Sequence, residues 1–391
     1  MAIASSAARA SGGPTEDIRP FSVHRLGIVM RPKTDEPSES EGVTNPACVR
    51  GQDGELYLFP RLIAKGNYSR IGIARVQFNA EGNPAGVERL GIALEPTEPF
   101  ERNPFSGGGC EDPRITFLEP FGRYVMTYTA FSAYGPRIAV ATSRDLFTWE
   151  RHGLVRFSPA DSMDFNATDN KDAVIFPAIL QDPRDGVPSV AMIHRPLFRG
   201  LASQHVQCGA PSRPVVARAN EAQRVRHQSM WVSYCHQPQQ LGQLVNLHSH
   251  HRLMSPRASW ERVKIGAGTP PLLTHLGWLV IYHGVAAHEG PHRYFRYSGG
   301  AVVLDAERPE RILYRSRHPL LDPRDEPEAA WPRPFVFPTG IDRRTDLGDP
   351  HRVDVYYGIA DSSIGVATLR LPPTLPEPKE GLDELRDAPI S

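Results

Sequence analysis

Tyr57-Leu58-Phe59-Pro60-Arg61-Leu62-Ile63, a short turn, then Arg70-Ile71-Gly72-Ile73-Ala74: an apolar β-rich run is followed at once by a second, alternating run. Alternation and β-branched content predict two strands joined as a hairpin. The pattern recurs four times. Tyr124–Ala130 is followed by Arg137–Ala141, and Val190–Pro196 by Met230–Tyr234. Trp278–Gly284 is followed by Gly300–Leu304, and Val353–Gly358 by Ile364–Ala367. The first runs begin at 57, 124, 190, 278 and 353, in steps of 67, 66, 88 and 75 residues. Five similar units of short strands predict an all-β fold, a five-bladed β-propeller with long inter-strand loops. A β-sandwich with coincidental spacing is the competing architecture.

The rest of the composition agrees with many short elements. The chain of 391 residues holds 38 Pro and 33 Gly, which favour turns over long helices. Lysine plus arginine and aspartate plus glutamate both total 44, so no global field draws the chain to nucleic acid or to a membrane. Cys48, Cys110, Cys208 and Cys235 show no CxxC pairing, which suits reduced thiols in the cytoplasm. No apolar segment of signal-peptide or membrane-spanning length occurs. The expected organisation is an N-terminal tail at 1–17, one catalytic domain at 18–375 and a C-terminal tail at 376–391. The basic stretch 202–228 divides the third unit. It reads as a long excursion over one face, a lid or a contact in a homo-oligomer.

In a propeller the innermost strands line a central channel, and the first runs are assigned that place. Their polar ends then converge: Arg61, Thr129, His194 with Arg195, and His283, with Asp361 just after the fifth run. Asn45 and Lys264 stand where they can enter the same mouth. Singly, each has an ordinary explanation, such as a surface charge, an interior histidine or a turn cap. Their recurrence at one structural place argues for a site. Gly107-Gly108-Gly109-Cys110-Glu111-Asp112-Pro113-Arg114 adds an acidic pair on a Gly/Pro-rich turn beside a strand, suited to a carboxylate held at a pocket. A tight turn with Asp112 and Arg114 salt-bridged to neighbours is the alternative. His248, His250 and His251 lie together without flanking carboxylates or thiolates, and His292 follows His288. No metal is expected. The GxSxG, P-loop and dinucleotide-binding patterns are missing from the sequence.

The ordered set Gly109–Ile115, Tyr128–Ala130, Lys171–Ala173 with Phe176-Pro177, His194–Pro196, Lys264–Gly268, Gly277–Leu279 with Tyr282–Gly284, and Tyr357–Asp361 resembles glycoside hydrolase family 130. That family comprises β-mannoside phosphorylases and mannosidases, and the likeness runs from about Asn45 to Leu369. It implies a five-bladed propeller and an inverting attack by inorganic phosphate, a co-substrate rather than a cofactor, on manno-oligosaccharides to give mannose 1-phosphate. Asp112 would be the general acid, its proton relayed through the sugar's 3-hydroxyl. Such an acid must be protonated, and burial beside Glu111 is expected to raise its pKa. Asn45, Arg61 and Asp361 would hold the mannosyl ring with Asp112; Lys171, Arg195, Lys264 and His283 would hold phosphate. Two rivals are hydrolysis by the same inverting chemistry, with Asp172 serving a water, and a non-catalytic glycan-binding propeller.

Overall fold

The computed structural model describes residues 20–105, 107–159, 164–198, 228–288, 294–329 and 333–376. The expected tails at 1–17 and 376–391, apart from residue 376, lie outside them, as do residues 202–227 of the expected excursion, Cys208 and His292. Within the described residues the regular structure is strand and short 3-10 turns.

Strand β1 (Ser22–Met30) opens the chain but pairs with its last strand. The first antiparallel unit is β2 (Gly42–Arg50), β3 (Leu56–Ala64), β4 (Tyr68–Phe78) and β5 (Pro84–Leu94). The second is β6 (Gly108–Leu118), β7 (Arg123–Ser132), β8 (Gly135–Ser143) and β9 (Glu150–Leu154), followed by the short β10 (Arg156–Phe157). The third is β11 (Asn170–Gln181), β12 (Pro188–Pro196), β13 (Met230–His236) and, after β14 (Asn246–Leu247), β15 (His250–Met254). In the fourth, β16 (Lys264–Ala267) and β17 (Leu272–Thr274) both pair with β18 (Gly277–His288), which continues to β19 (Tyr294–Leu304) and β20 (Ile312–Arg315). The fifth is β21 (Val336–Arg343), β22 (Arg352–Ile359) and β23 (Ser363–Arg370), completed by β1.

Five hydrophobic cores lie between successive units. Phe59 and Ile71 meet Ile115 and Met126 between the first and second units. Val125 and Val140 meet Ile175 and Met192 between the second and third. Phe176 and Val232 meet Trp278 and Val302 between the third and fourth. Ile281 and Val303 meet Val336 and Val355 between the fourth and fifth. The fifth core joins the last unit to the first, with Val29, Tyr356 and Val366 against Val43 and Leu58. Neighbouring residues of one strand feed different cores: Tyr57 and Phe59 face one neighbour, Leu56 and Leu58 the other. A strand buried on both faces reads as a continuous apolar run, which is why these segments stand out in the sequence. Each fully buried Leu, Ile or Phe contributes about 1.5–3 kcal/mol of burial free energy.

One assignment from the sequence is corrected. The first runs, Tyr57–Ile63 and its equivalents, are the second strands of their units. The strands whose backbones come closest to neighbouring units are chiefly the preceding ones, β2 against β6 and β21, and β11 against β6 and β16. These contain Gly, Pro and Asx residues and carry irregular registers, so their alternation is broken and the pattern overlooks them.

Candidate active site

Three of these strands share a local device. Asn45 in β2, Asp112 in β6 and Asp172 in β11 have φ of 44°, 48° and 57°, and each sits at a shift in strand register. Positive φ is uncommon outside glycine, and Asn and Asp tolerate it best. A bulge there re-aims one polar side chain out of the ladder. Asp361 (φ 56°) follows β22 in the turn to β23. The backbone thus gathers polar groups of successive units at one place.

Asp112 is buried, and its Oδ1 accepts from Asn45 Nδ2 at 2.8 Å and Arg61 Nη1 at 3.4 Å. The Thr44 hydroxyl donates to Asn45 Oδ1 at 2.9 Å, which turns the amide NH2 toward Asp112. Arg61 also bonds Glu111 Oε1 at 2.9 Å, Ser69 Oγ at 2.9 Å and Asn67 Oδ1 at 3.2 Å. Glu111 takes Lys171 Nζ on its other oxygen at 3.2 Å. Gly358 lies opposite, where a Cβ would come within 2.2 Å of Asn45 Oδ1. Arg114 does not pair with the Asp112 carboxylate. Its guanidinium donates to the Asp112 carbonyl, and its Nε donates across to Gly268 O at 2.7 Å, tying the second unit to the fourth.

A second group adjoins the first. Asp172, buried, accepts from Arg195 Nε at 2.6 Å, and Arg195 Nη1 donates to Gln228 Oε1 at 2.7 Å. His283 Nε2 stands 3.5 Å from Asp172 Oδ2, and its ring lies 4.3 Å from that of Phe337. Among the described residues neither ring nitrogen of His283, nor Arg114 Nη2, has a hydrogen-bond partner, although all three atoms are buried. Lys264 Nζ lies 5.2 Å above the Tyr297 ring. At Gly266 a Cβ would come within 2.3 Å of Asp172 Oδ2 and 2.5 Å of His283 Cε1. Glycine is what lets the two side chains pack directly against the β16 backbone.

The electrostatics overturn one expectation. Burial pushes the Asp112 carboxyl up, but Arg61, Lys171 and Arg114 outweigh it and hold the group below the usual carboxylate range. Its neighbour Glu111 is occupied by Arg61 and Lys171. Asp172 is likewise lowered: burial opposes ionisation, and Arg195, His283 and Arg114 prevail. Asp361 goes the other way, raised by burial and by the Asp112 charge. Burial drives His283 down to about 3, so its imidazole is neutral at pH 7.

Other candidates fall elsewhere. His194 is buried with Nδ1 against Asn170 and Nε2 2.8 Å from Ser233 Oγ, a satisfied interior histidine beside Phe157. Thr129 is buried opposite Glu111. His248 and His250 bond Ser158, and His251 bonds Ser249. Among the described residues Asp182, Asp185 and His236 group closely enough to share an ion; Asp182 already accepts from His236 at 2.7 Å and Ser249 at 3.0 Å. The sequence reading missed Gln228 and the cross-unit role of Arg114. No local pattern reports a partner more than a hundred residues away.

A family model described as beta-1,4-mannooligosaccharide phosphorylase matches residues 14–195 and 220–374. The chain belongs to glycoside hydrolase family 130. It is 28% identical over 351 residues to a 1,2-beta-oligomannan phosphorylase of Thermoanaerobacter sp., covering 88% of this chain and 95% of that one. A beta-1,2-mannobiose phosphorylase of the same organism is 30% identical over 270 residues, 68% of each chain. Among solved structures, the beta-1,2-mannobiose phosphorylase of Listeria innocua superposes with a TM-score of 0.63 at 20% identity, over 89% of this chain and 97% of that one.

Proposed function

We propose that this family 130 enzyme cleaves β-mannosidic bonds of manno-oligosaccharides with inorganic phosphate, reversibly, giving mannose 1-phosphate and a shortened sugar. The observation that carries the reading is the second group: Arg195, Lys264, His283 and Arg114 gather beside Gly266, and the His283 ring nitrogens and Arg114 Nη2 have no hydrogen-bond partner among the described residues. A neutral sugar has no need of so much positive charge. A phosphate anion is bound by such donors.

In this reading the mannosyl ring sits against Asn45, Arg61, Asp112 and Asp361, and phosphate against Lys171, Arg195, Lys264 and His283. Phosphate oxygen attacks the anomeric carbon from the face opposite the leaving group. The bond to the acceptor oxygen breaks as that oxygen takes a proton, delivered from Asp112 through the sugar's 3-hydroxyl. Phosphorolysis asks for no second carboxylate, because the nucleophile is already an anion. Asp172 is engaged with Arg195, which disfavours its use as a base for water. A bound phosphate offsets the charge of Lys171 and its neighbours, so the carboxyl regains its proton once both substrates are present. Phosphate thereby prepares the acid as well as attacking.

The five cores, the last joining unit five to unit one, support a five-bladed propeller spanning 18–375 as one domain. Cys48, Cys110 and Cys235 are free and buried, in keeping with a cytoplasmic enzyme. No described helix is long and apolar enough to cross a membrane. The test is incubation with β-1,2- and β-1,4-mannobiose, with and without phosphate. Mannose 1-phosphate is expected in the phosphate tubes; free mannose formed equally in both would replace this reading with hydrolysis.

A further inference from the structure

The turns joining the second and third strands of the units lie at the end of the sheets where the site opens. Asp361 occupies this turn in the fifth unit, and Asn67, bonded to Arg61, occupies it in the first. The equivalent turn of the second unit is a two-residue loop, Ala133-Tyr134, closed by the pair Ser132 and Gly135. Its register fixes its place: Phe131 stands opposite Gly109 and Thr129 opposite Glu111, so the loop projects just beyond the acidic pair. Tyr134 is 88% exposed, and Phe105, on the segment leading into β6, is 84% exposed. Phe105 N donates to Asn103 Oδ1, and Asn103 packs where a Cβ on Gly108 would also meet Phe131 O. Both residues therefore flank the end of β6 and β7 where Gly108 meets Phe131. Beneath them the Phe131 ring lies 5.4 Å from Lys171 Nζ.

Both rings are largely exposed among the described residues, and the turn itself is well braced. Gly135 abuts the Asp169 carboxylate, which takes Arg137 Nη1 at 2.7 Å. A rigid turn presenting a ring beside a substrate mouth marks a binding surface. Sugar rings present faces of C–H bonds whose positive edge suits the negative face of an aromatic ring.

We infer that Tyr134 and Phe105 form a stacking platform for acceptor-side mannosyl residues beyond the two at the scissile bond, and so set the chain length the enzyme prefers. The inference rests on the mannoside-phosphorylase reading for the identity of the ligand. The occupant is an oligosaccharide because the platform is continuous with the sugar site and carries no charge of its own.

The test uses the full chain as wild type, Tyr134→Ala, Phe105→Ala, Tyr134→Trp and a control, Phe147→Ala. Phe147 is 52% exposed but follows β8 at the opposite end of the same unit. Mannobiose and mannotetraose, β-1,2- and β-1,4-linked, are titrated by calorimetry without phosphate, when phosphorolysis cannot proceed; kcat/KM is then measured with it. The ratio of tetraose to biose kcat/KM should fall about tenfold in each alanine variant, the worth of one lost ring contact. Tyr134→Trp should keep the ratio, as should Phe147→Ala. Equal loss for both substrates, or no change in either, overturns the platform, as does dissociation of an oligomer by Tyr134→Ala with unaltered tetraose affinity. Wild-type enzyme that makes no mannose 1-phosphate yet shows the binding contrast would refute the phosphorylase reading and leave the platform standing.

Discussion

Replacing Arg61 by Met should move the ionisation of Asp112 upward by one to three pH units. Arg61 Nη1 lies 3.4 Å from Asp112 Oδ1 in a buried setting. Two unit charges at that separation interact by about 5 kcal/mol at an effective dielectric of 20. Rearrangement of Lys171 and entry of water recover part of this, and carboxylates beside arginine commonly sit about 1–3 units low. The variant therefore forfeits about 1.4–4 kcal/mol of preference for the ionised acid. Because the acid acts in its protonated form, activity falls as pH rises through its pKa, and kcat/KM reports that value in the free enzyme. At constant phosphate dianion, the descending limb of kcat/KM should lie 1–3 units higher in Arg61→Met than in wild type. Arg61→Lys, which keeps the charge, should hold the limb in place even where the rate falls. In the wild type the limb of kcat should lie above that of kcat/KM, since bound phosphate offsets the cations around Asp112. A limb that does not move in Arg61→Met would refute this account of the acid.

Four further outcomes follow from the same geometry. Asp112→Asn should lower kcat by about 10²–10⁴, the usual worth of a positioned acid, while circular dichroism shows an unaltered fold. Gly266→Ala should raise the KM for phosphate more than that for mannobiose, because its Cβ would fall within 2.3 Å of Asp172 Oδ2; an unchanged phosphate KM would move the anion elsewhere. Arg195→Met strands the buried Asp172 carboxylate and should cost about 3–5 kcal/mol in urea unfolding, with the double variant Arg195→Met/Asp172→Leu recovering most of it. Finally, His250 and His283 have folded pKa values of about 4 and about 3, below the unfolded value, so the unfolded chain protonates first as pH falls. Their stabilisation is complete above about pH 6.5 and fades below it, by about 2 kcal/mol each at pH 5, and Tm should drop over that range.

The sequence carried the second and third strands of every unit plainly, because both faces of those strands are buried and their apolar residues run on. It obscured the parts of the strands that carry Asn45, Asp112 and Asp172, since a bulge at positive φ needs Asx, Gly and Pro, which read as turns. Candidate residues were legible through their ordered motifs, and the structure brings Asn45, Arg61 and Asp112 together and, beside them, Arg195 with His283. What the motifs could not convey was charge balance. Whether Asp112 is raised by burial or lowered by cations depends on Arg61, 51 residues away, and Lys171, 59 residues away, in other units. His194 and Arg195 adjoin in sequence but point to opposite faces of β12, one to the interior and one to Asp172. Period-2 geometry separates such neighbours, while which face is functional is settled by packing.

The most direct test remains product analysis of the wild-type enzyme on β-1,2- and β-1,4-mannobiose with and without inorganic phosphate. Mannose 1-phosphate that forms only with phosphate, and disappears in Arg195→Met, is the predicted result. Free mannose released at the same rate in both tubes would contradict it.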